Sequence, residues 1–378
     1  MAEFIFWLCL LLPLYAWLGY PLLLTLVAPL RRQQLAGPAR PLTVSVVIAA
    51  HNEQRHIEQK LRSVLRQDYD AASLQVIVAS DGSSDRTVAC ALSVIDPRIE
   101  VLDLPRIGKG AALNRAVEQC HGEILVFTDA DNQWADDTLR HLLQPLAVPG
   151  VGGCAGQMII PRPGKGLSLG DSLYRHYEGW VRRVENRNGC MVSADGALLA
   201  LRRELFQAIP EQVNDDFFIS TCAPAAGQRI VYVPEALVLD CGVDEADKQF
   251  RRRQRVTVGG LRSLAARSEL LDPRRHGLYA IALISHKLLR RLAPLLLLPL
   301  LLSNLCLLDG SAFYLWTCTL QLLGYAIALA GLLDSKHRLP RPFRLAAYVL
   351  VTLAGMSVGL WQFLRGHSYR QWNPEQNR

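Results

Sequence analysis

Two aspartates one residue apart, Asp129 and Asp131, carry the most telling chemistry in the chain. Hard carboxylate oxygens suit Mg2+ or Mn2+, ions that keep several waters and take one or two protein carboxylates plus phosphate oxygens. The pair therefore has the geometry to hold a divalent cation against a diphosphate. The pattern alone is weak, because Asp68-Tyr69-Asp70 matches it too and reads as a solvated helix–strand connection. Position separates the two: Asp129 follows the apolar run Ile124–Phe127 and Thr128, at a strand's carboxyl end.

Other polar residues fall at equivalent places. Ala50, Asn52 and Glu53 follow one β-branched run, and Asp81 follows the next within Ser80-Asp81-Gly82-Ser83-Ser84-Asp85. Asp81 is the candidate acceptor for a nucleotide's base or ribose, while Ser84 or Asp85 fits an ordinary turn or helix cap. Lys109 opens a helix beyond the third run and reads either as a phosphate contact or as a solvated loop lysine. Asn214-Asp215-Asp216 precedes an apolar helix; a cap explains one acid. Asp216 is the better general base, with Asp215 beside it, since a reactive carboxylate needs a partly desolvated site. Arg252, Arg253 and Arg255 read as substrate contacts, as a membrane-surface face of an amphipathic helix, or as both along one helix.

The elements that must position these groups alternate. Strands are expected at Val44–Ile48, Leu74–Ala79, Ile99–Leu104 and Ile124–Phe127, with helices over 53–66, 85–94 and 109–119. Near-continuous apolar strands separated by helices imply an α/β domain with a parallel sheet covered on both faces. In such sheets ligands bind beyond the carboxyl ends of the strands, where the acids lie. A dinucleotide fold would show G-x-G-x-x-G after the first strand, and a P-loop would show G-x-x-x-x-G-K-[ST]; neither occurs there.

Half of the 378 residues are hydrophobic and 20% are charged, with a net charge of +7. That composition excludes disorder and a small disulfide scaffold and points to a soluble domain joined to membrane segments. Phe4–Leu30 lacks any charge and exceeds the ~20 residues that cross a bilayer. Glu3 before it and Arg31-Arg32 after it read as a retained anchor whose following chain is cytosolic. Further apolar runs cover 292–308, 313–333 and 345–364. Three full crossings there leave the tail from Arg365 outside, although its arginines fit that side poorly, and a tilted or re-entrant last run is the alternative. The resulting plan is an anchor at 1–31, a catalytic domain at 42–240, an amphipathic interfacial segment at 241–291, membrane helices at 292–364 and a polar tail at 365–378. The basic clusters border apolar runs and so favour anionic lipid headgroups over nucleic acid. Nine cysteines without a C-x-x-C pair suggest neither zinc nor a disulfide framework, which fits a reducing compartment.

The order and spacing of Val44-Ser-Val-Val-Ile-Ala-Ala-His-Asn-Glu53, Ser80–Asp85, Gly108-Lys-Gly-Ala-Ala-Leu-Asn114, Asp129-Ala-Asp131, Ser193-Ala-Asp-Gly-Ala197, Asp215-Asp216 and the arginine-rich helix resemble family 2 glycosyltransferases. With the apolar flanks, the likeness is to the membrane-embedded branch of cellulose, hyaluronan and poly-N-acetylglucosamine synthases. The resemblance implies a GT-A fold, a nucleotide-sugar donor with UDP as its nucleotide, Mg2+ or Mn2+, and inversion at the anomeric carbon. It makes Asp81 a uridine contact, Asp129 and Asp131 the diphosphate–metal motif and Asp216 the base, and it places Asp195 and Gly196 at the acceptor site along with Arg252 and Arg255. It further implies a multi-pass plasma (inner) membrane protein making cell-surface polysaccharide, with partner subunits of an export or synthesis complex. Two departures stand out: Ser80 replaces the first acid of a frequent Asp-Asp pair, and Arg252-Arg-Gln-Arg255-Val256 has Val where processive synthases carry Trp in Q-x-x-R-W. Single transfer to a polyprenyl-phosphate or lipid-linked acceptor is the first rival reading, and a non-catalytic nucleotide-binding scaffold is the second.

Overall fold

The computed structural model describes residues 1–28, 42–160, 167–194, 196–240, 245–334 and 338–369. The four expected strands are β1 (Val44–Ala50), β2 (Leu74–Asp81), β3 (Ile99–Leu104) and β4 (Ile124–Asp129). They pair in parallel, joined by β5 (Gln133–Trp134), β6 (Val151–Ile159), β7 (Leu199–Arg202) and β8 (Arg229–Leu239) in the order β3-β2-β1-β4-β7-β6-β8-β5. β7 runs antiparallel to both β4 and β6. Register sets the rim of the sheet. Ala50 lies opposite Ser80 and Ala49 opposite Asp129, so the carboxyl ends of β1, β2 and β4 are level.

The helices are α1 (Ala2–Val27), α2 (Ile57–Leu65), α3 (Thr87–Leu92), α4 (Lys109–Glu118), α5 (Thr138–Leu143), α6 (Ser168–Arg187), α7 (Asp215–Ala225), α8 (Ala246–Ala266), α9 (Pro273–Leu305), α10 (Ala312–Leu333) and α11 (Arg341–Leu364). Alternate strand residues face opposite ways. Val44, Val46 and Ile48 pack with Ile57, Leu61 and Leu139 on one face, while Val47 and Ala49 pack with Leu113, Ala116 and Ile219 on the other. The expected two-sided cover is therefore present, from α2, α3 and α5 on one side and α4 and α7 on the other.

Two helices begin later than expected. The chain leaves β1 through Asn52 at φ 56, a left-handed conformation that delays α2 to Ile57. Asp85 accepts from the Thr87 N–H at 2.9 Å and so fixes the start of α3. The second Asp-x-Asp is structural, since Asp70 caps the turn at Ala71–Ser73.

Four helices, α1, α9, α10 and α11, are long and apolar enough to cross a membrane. The run expected from Leu292 is the second half of α9, which continues unbroken past Arg290 and Arg291. Charge does not interrupt it because Arg290 donates to Glu178 of α6 at 2.7 Å and His286 lies 2.7 Å from Glu185. α11 packs along α8. Its glycines Gly355 and Gly359 sit against the α8 backbone at Phe250 and Gln254, as small residues allow. Arg262 of α8 then donates to the Gly366 and His367 carbonyls, which keeps the end of α11 beside α8. Among the described residues every cysteine is free.

Candidate active site

A cavity of about 1080 Å³ opens at the rim of the sheet and gathers Lys109, Asp129, Asp131, Gly196, Asp215 and Asp216. Asp129 is the last residue of β4, and Asp215 and Asp216 are the first two of α7. Helix N-termini favour negative charge, which explains why two adjacent acids are tolerated there. Arg252 and Arg255 reach the same cavity from α8. Of the residues expected to contact donor or acceptor, Asp195 lies outside the described residues. Ala50, Asn52, Glu53 and Asp81 do not line the cavity.

Their hydrogen bonds hold the rim of the sheet together. Asp81 is fully buried; its Oδ1 accepts from the Ile107 and Gly108 N–H groups at 2.7 and 2.9 Å, and its Oδ2 from Arg106 at 3.0 Å. It thereby anchors the 106–108 segment, whose residues do line the cavity, and fixes the start of α4 at Lys109. Gly82 permits this closeness: at φ 61, a Cβ would stand 2.8 Å from the Arg106 backbone nitrogen. Asn52 accepts from the Ser84 N–H at 2.9 Å, tying the β1 and β2 turns together. Glu53 is buried and lies 3.1 Å from the partly exposed His56, which does reach the cavity.

Lys109 bridges two acids, with its Nζ 2.9 Å from both Asp129 Oδ1 and Asp215 Oδ2. Burial works against its charge, yet Asp129 and Asp215 outweigh it and hold the ammonium well above the usual lysine range. Burial raises the Asp129 carboxyl, Lys109 pulls it back, and Asp131 and Asp215 push it up further. Asp216 takes the Gly196 N–H on Oδ2 at 3.2 Å and the Phe217 N–H on Oδ1 at 2.6 Å. Burial and Arg252 press the Arg255 guanidinium below its usual range, against the pull of Asp215, Asp129 and Asp216.

The donor set suits a shared metal–diphosphate site. Among the described residues no three His, Cys, Asp or Glu side chains converge to enclose an ion. Asp129 and Asp131, both lining the cavity, are the two carboxylates that could hold Mg2+ or Mn2+, ions that take one or two protein carboxylates when phosphate oxygens complete the shell.

A buried lysine escaped sequence reading. Lys60 sits on the apolar stripe of α2 with Ile57, Leu61 and Val64, fully buried. Its Nζ donates to Thr128 at 2.7 Å and Asn132 at 2.6 Å, the residues flanking Asp129 and Asp131, and lies 4.9 Å from the Trp134 ring. Burial lowers it to about 7 against the pull of both aspartates. Lys60→Met leaves two buried acceptors without their cation. It is expected to cost roughly 1–3 kcal/mol, read as a lower melting temperature, and to raise the Mn2+ concentration needed for half-maximal turnover.

At the far end of the cavity Asp171, 2% exposed, faces Arg175 at 3.2 Å, Arg252 at 3.5 Å and Arg253 at 3.8 Å. Burial opposes its ionisation, but Arg252, Arg175 and Arg253 hold the carboxyl down at about 2. A carboxyl depressed on folding adds stability above its unfolded value and loses it as pH falls through the folded one. Asp171 should therefore contribute about 2 kcal/mol at neutral pH. The stability gap between wild type and Asp171→Asn should narrow between pH 4 and pH 2 in thermal unfolding.

Residues 45–209 match the model of Glycosyl transferase family 2. The chain is 25% identical over 339 residues to an N-acetylglucosaminyltransferase of Sinorhizobium fredii, covering 85% of this chain and 81% of that one. A second N-acetylglucosaminyltransferase, from Rhizobium meliloti, is 28% identical over 266 residues and is covered over 62% of each chain. Among solved structures, a mannosyltransferase from Pyrobaculum calidifontis in complex with GDP-Man and Mn2+ superposes with a TM-score of 0.72. Its identity is 24%, and the match covers 97% of this chain and all of that one, which establishes a GT-A fold here.

Proposed function

We propose that this chain, a glycosyltransferase whose residues 45–209 are a family 2 domain, moves a sugar from a nucleotide donor to a saccharide hydroxyl at a membrane surface, with inversion. The observation that carries the reading is the meeting of Asp129, Asp131 and Asp216 on one cavity, although they lie on a strand end, a loop and a helix start. Asp129 and Asp131 would hold Mg2+ or Mn2+. When bound, the ion neutralises charge on the departing diphosphate. Lys109 and Arg255 line the same wall and add positive charge beside those oxygens. The 106–108 segment, fixed by Asp81, would border the nucleotide. Asp216 takes the proton from the acceptor hydroxyl as that oxygen forms its bond to the anomeric carbon and the bond to the diphosphate breaks.

The names of the relatives support an N-acetylglucosaminyl donor, and UDP is the nucleotide that the sequence motifs lead us to expect on it. The four apolar helices support a multi-pass membrane location, with the sheet domain on the cytosolic side where nucleotide sugars reside. Val256, in place of a stacking Trp, favours transfer of one or a few sugars over processive polymerisation. The test is a panel of nucleotide sugars offered, together with saccharide acceptors, to the purified full-length protein. Metal-dependent release of nucleoside diphosphate, highest with UDP-N-acetylglucosamine, is expected; no release from any sugar nucleotide would leave only a binding scaffold.

A further inference from the structure

The same cavity does not end at the acids. It continues to a wall built by α1, α6, α9 and α11, three of which are the candidate membrane helices. On that wall the carboxylate of Glu178 is already engaged, by Arg290 at 2.7 Å and His286 at 3.0 Å. Lys287 and Arg291, one helical turn apart on α9, also line the cavity. Neither has an ion-pair partner among the described residues; the Arg291 guanidinium bonds the Lys287 carbonyl at 2.8 Å and lies 5.5 Å over the Phe217 ring. Phe217 follows Asp216, so this cationic corner adjoins the proposed base. Gly260 of α8 makes room for it, since a methyl group there would overlap the guanidinium.

The spacing beyond the cations is equally specific. Residues 287, 291, 295, 298, 302 and 305 recur at intervals of three and four, so they share one face of the helix. After the two cations that face carries Leu295, Leu298, Leu302 and Leu305, all about half exposed. From Arg291 to Leu305 the stripe rises about 21 Å. A cationic head followed by an uncovered apolar track matches a phosphate attached to a long hydrocarbon.

We infer that Lys287 and Arg291 seat the phosphate of a lipid-linked saccharide acceptor, with its hydrocarbon along the leucine track of α9 and its sugar hydroxyl at Asp216. The inference rests on the reaction proposed above and names the chemistry of its acceptor. It also gives Arg291 a positioning role, since it would orient the acceptor through the phosphate without touching the reacting bond.

The test uses the full-length protein in detergent, with farnesyl phosphate as the probe and farnesol and inorganic phosphate as controls. Farnesyl phosphate should bind at least ~10-fold more tightly than either control. Lys287→Gln with Arg291→Gln should remove that advantage, because charge-assisted bonds to phosphate are among the strong ones. Equal binding of farnesyl phosphate by the wild type and the double variant overturns the inference. So does inorganic phosphate binding as tightly as farnesyl phosphate, which would mark a seat for the free ion. If the double variant fails to fold, Gly260→Ala serves instead: it displaces the guanidinium, keeps both charges, and should weaken farnesyl phosphate severalfold. Metal-dependent hydrolysis of the nucleotide sugar without acceptor, measured on the same samples, should be unchanged in these variants. Failure of the wild type to release nucleoside diphosphate even with a saccharide acceptor supplied would instead refute the proposed reaction and leave the binding result standing.

Discussion

Replacing Asp216 by Asn is expected to lower kcat by about 10²–10⁴ while leaving the donor's KM within a few-fold. The substitution keeps the shape of the side chain at the start of α7, where Asp216 accepts from the Gly196 and Phe217 backbone N–H groups. It removes the ability to accept the acceptor's proton. Asp215 cannot replace it, because its carboxylate is held at 2.9 Å by Lys109. Steady-state kinetics with saturating acceptor tests this. Turnover equal to wild type would assign the base elsewhere.

Asp131→Ala is expected to lower kcat/KM by at least ~10², with part of the loss recovered at high Mn2+. Asp129 and Asp131 are the two carboxylates proposed to hold the ion, so removing one should weaken its binding. A diphosphate also brings its own negative charge into a cavity that holds Asp129, Asp131, Asp215 and Asp216. Without a cation between them the repulsion would fall directly on the donor. A metal titration of activity in both proteins checks the expectation, and a parallel fall at every Mn2+ concentration would argue for a structural role.

Much of the frame could be read from the chain because its signals are local. Apolar runs ending in polar residues gave four strands and their common rim, and the strand before Asp129 distinguished it from Asp70, which only caps a turn. What escaped reading depends on pairs far apart in sequence. The bonds of Asp81 to Arg106, Ile107 and Gly108 could not be read, because those groups come from the next loop. Lys60 drew no notice inside the helix expected over 53–66, although its place on the stripe with Ile57, Leu61 and Val64 was a visible sign of burial. The antiparallel β7 is short and enters the sheet from a long insertion, so no periodicity marks it. The charge at Arg290 concealed the true length of α9, because its neutralising partner Glu178 lies on α6. Arg252 and Arg255 were ambiguous between lipid and substrate; the packing of α11 along α8 turns them into the cavity.

The central claim is that the carboxylates at 129, 131 and 216 act on one bound donor. A structure of the full-length protein with Mn2+ and an unreactive UDP-sugar analogue tests it most directly. The account predicts anomalous scattering from manganese against the Asp131 carboxylate, the diphosphate beside Lys109, and the anomeric carbon between that diphosphate and Asp216. Manganese bound away from residues 129 and 131, or a sugar turned away from Asp216, would contradict it.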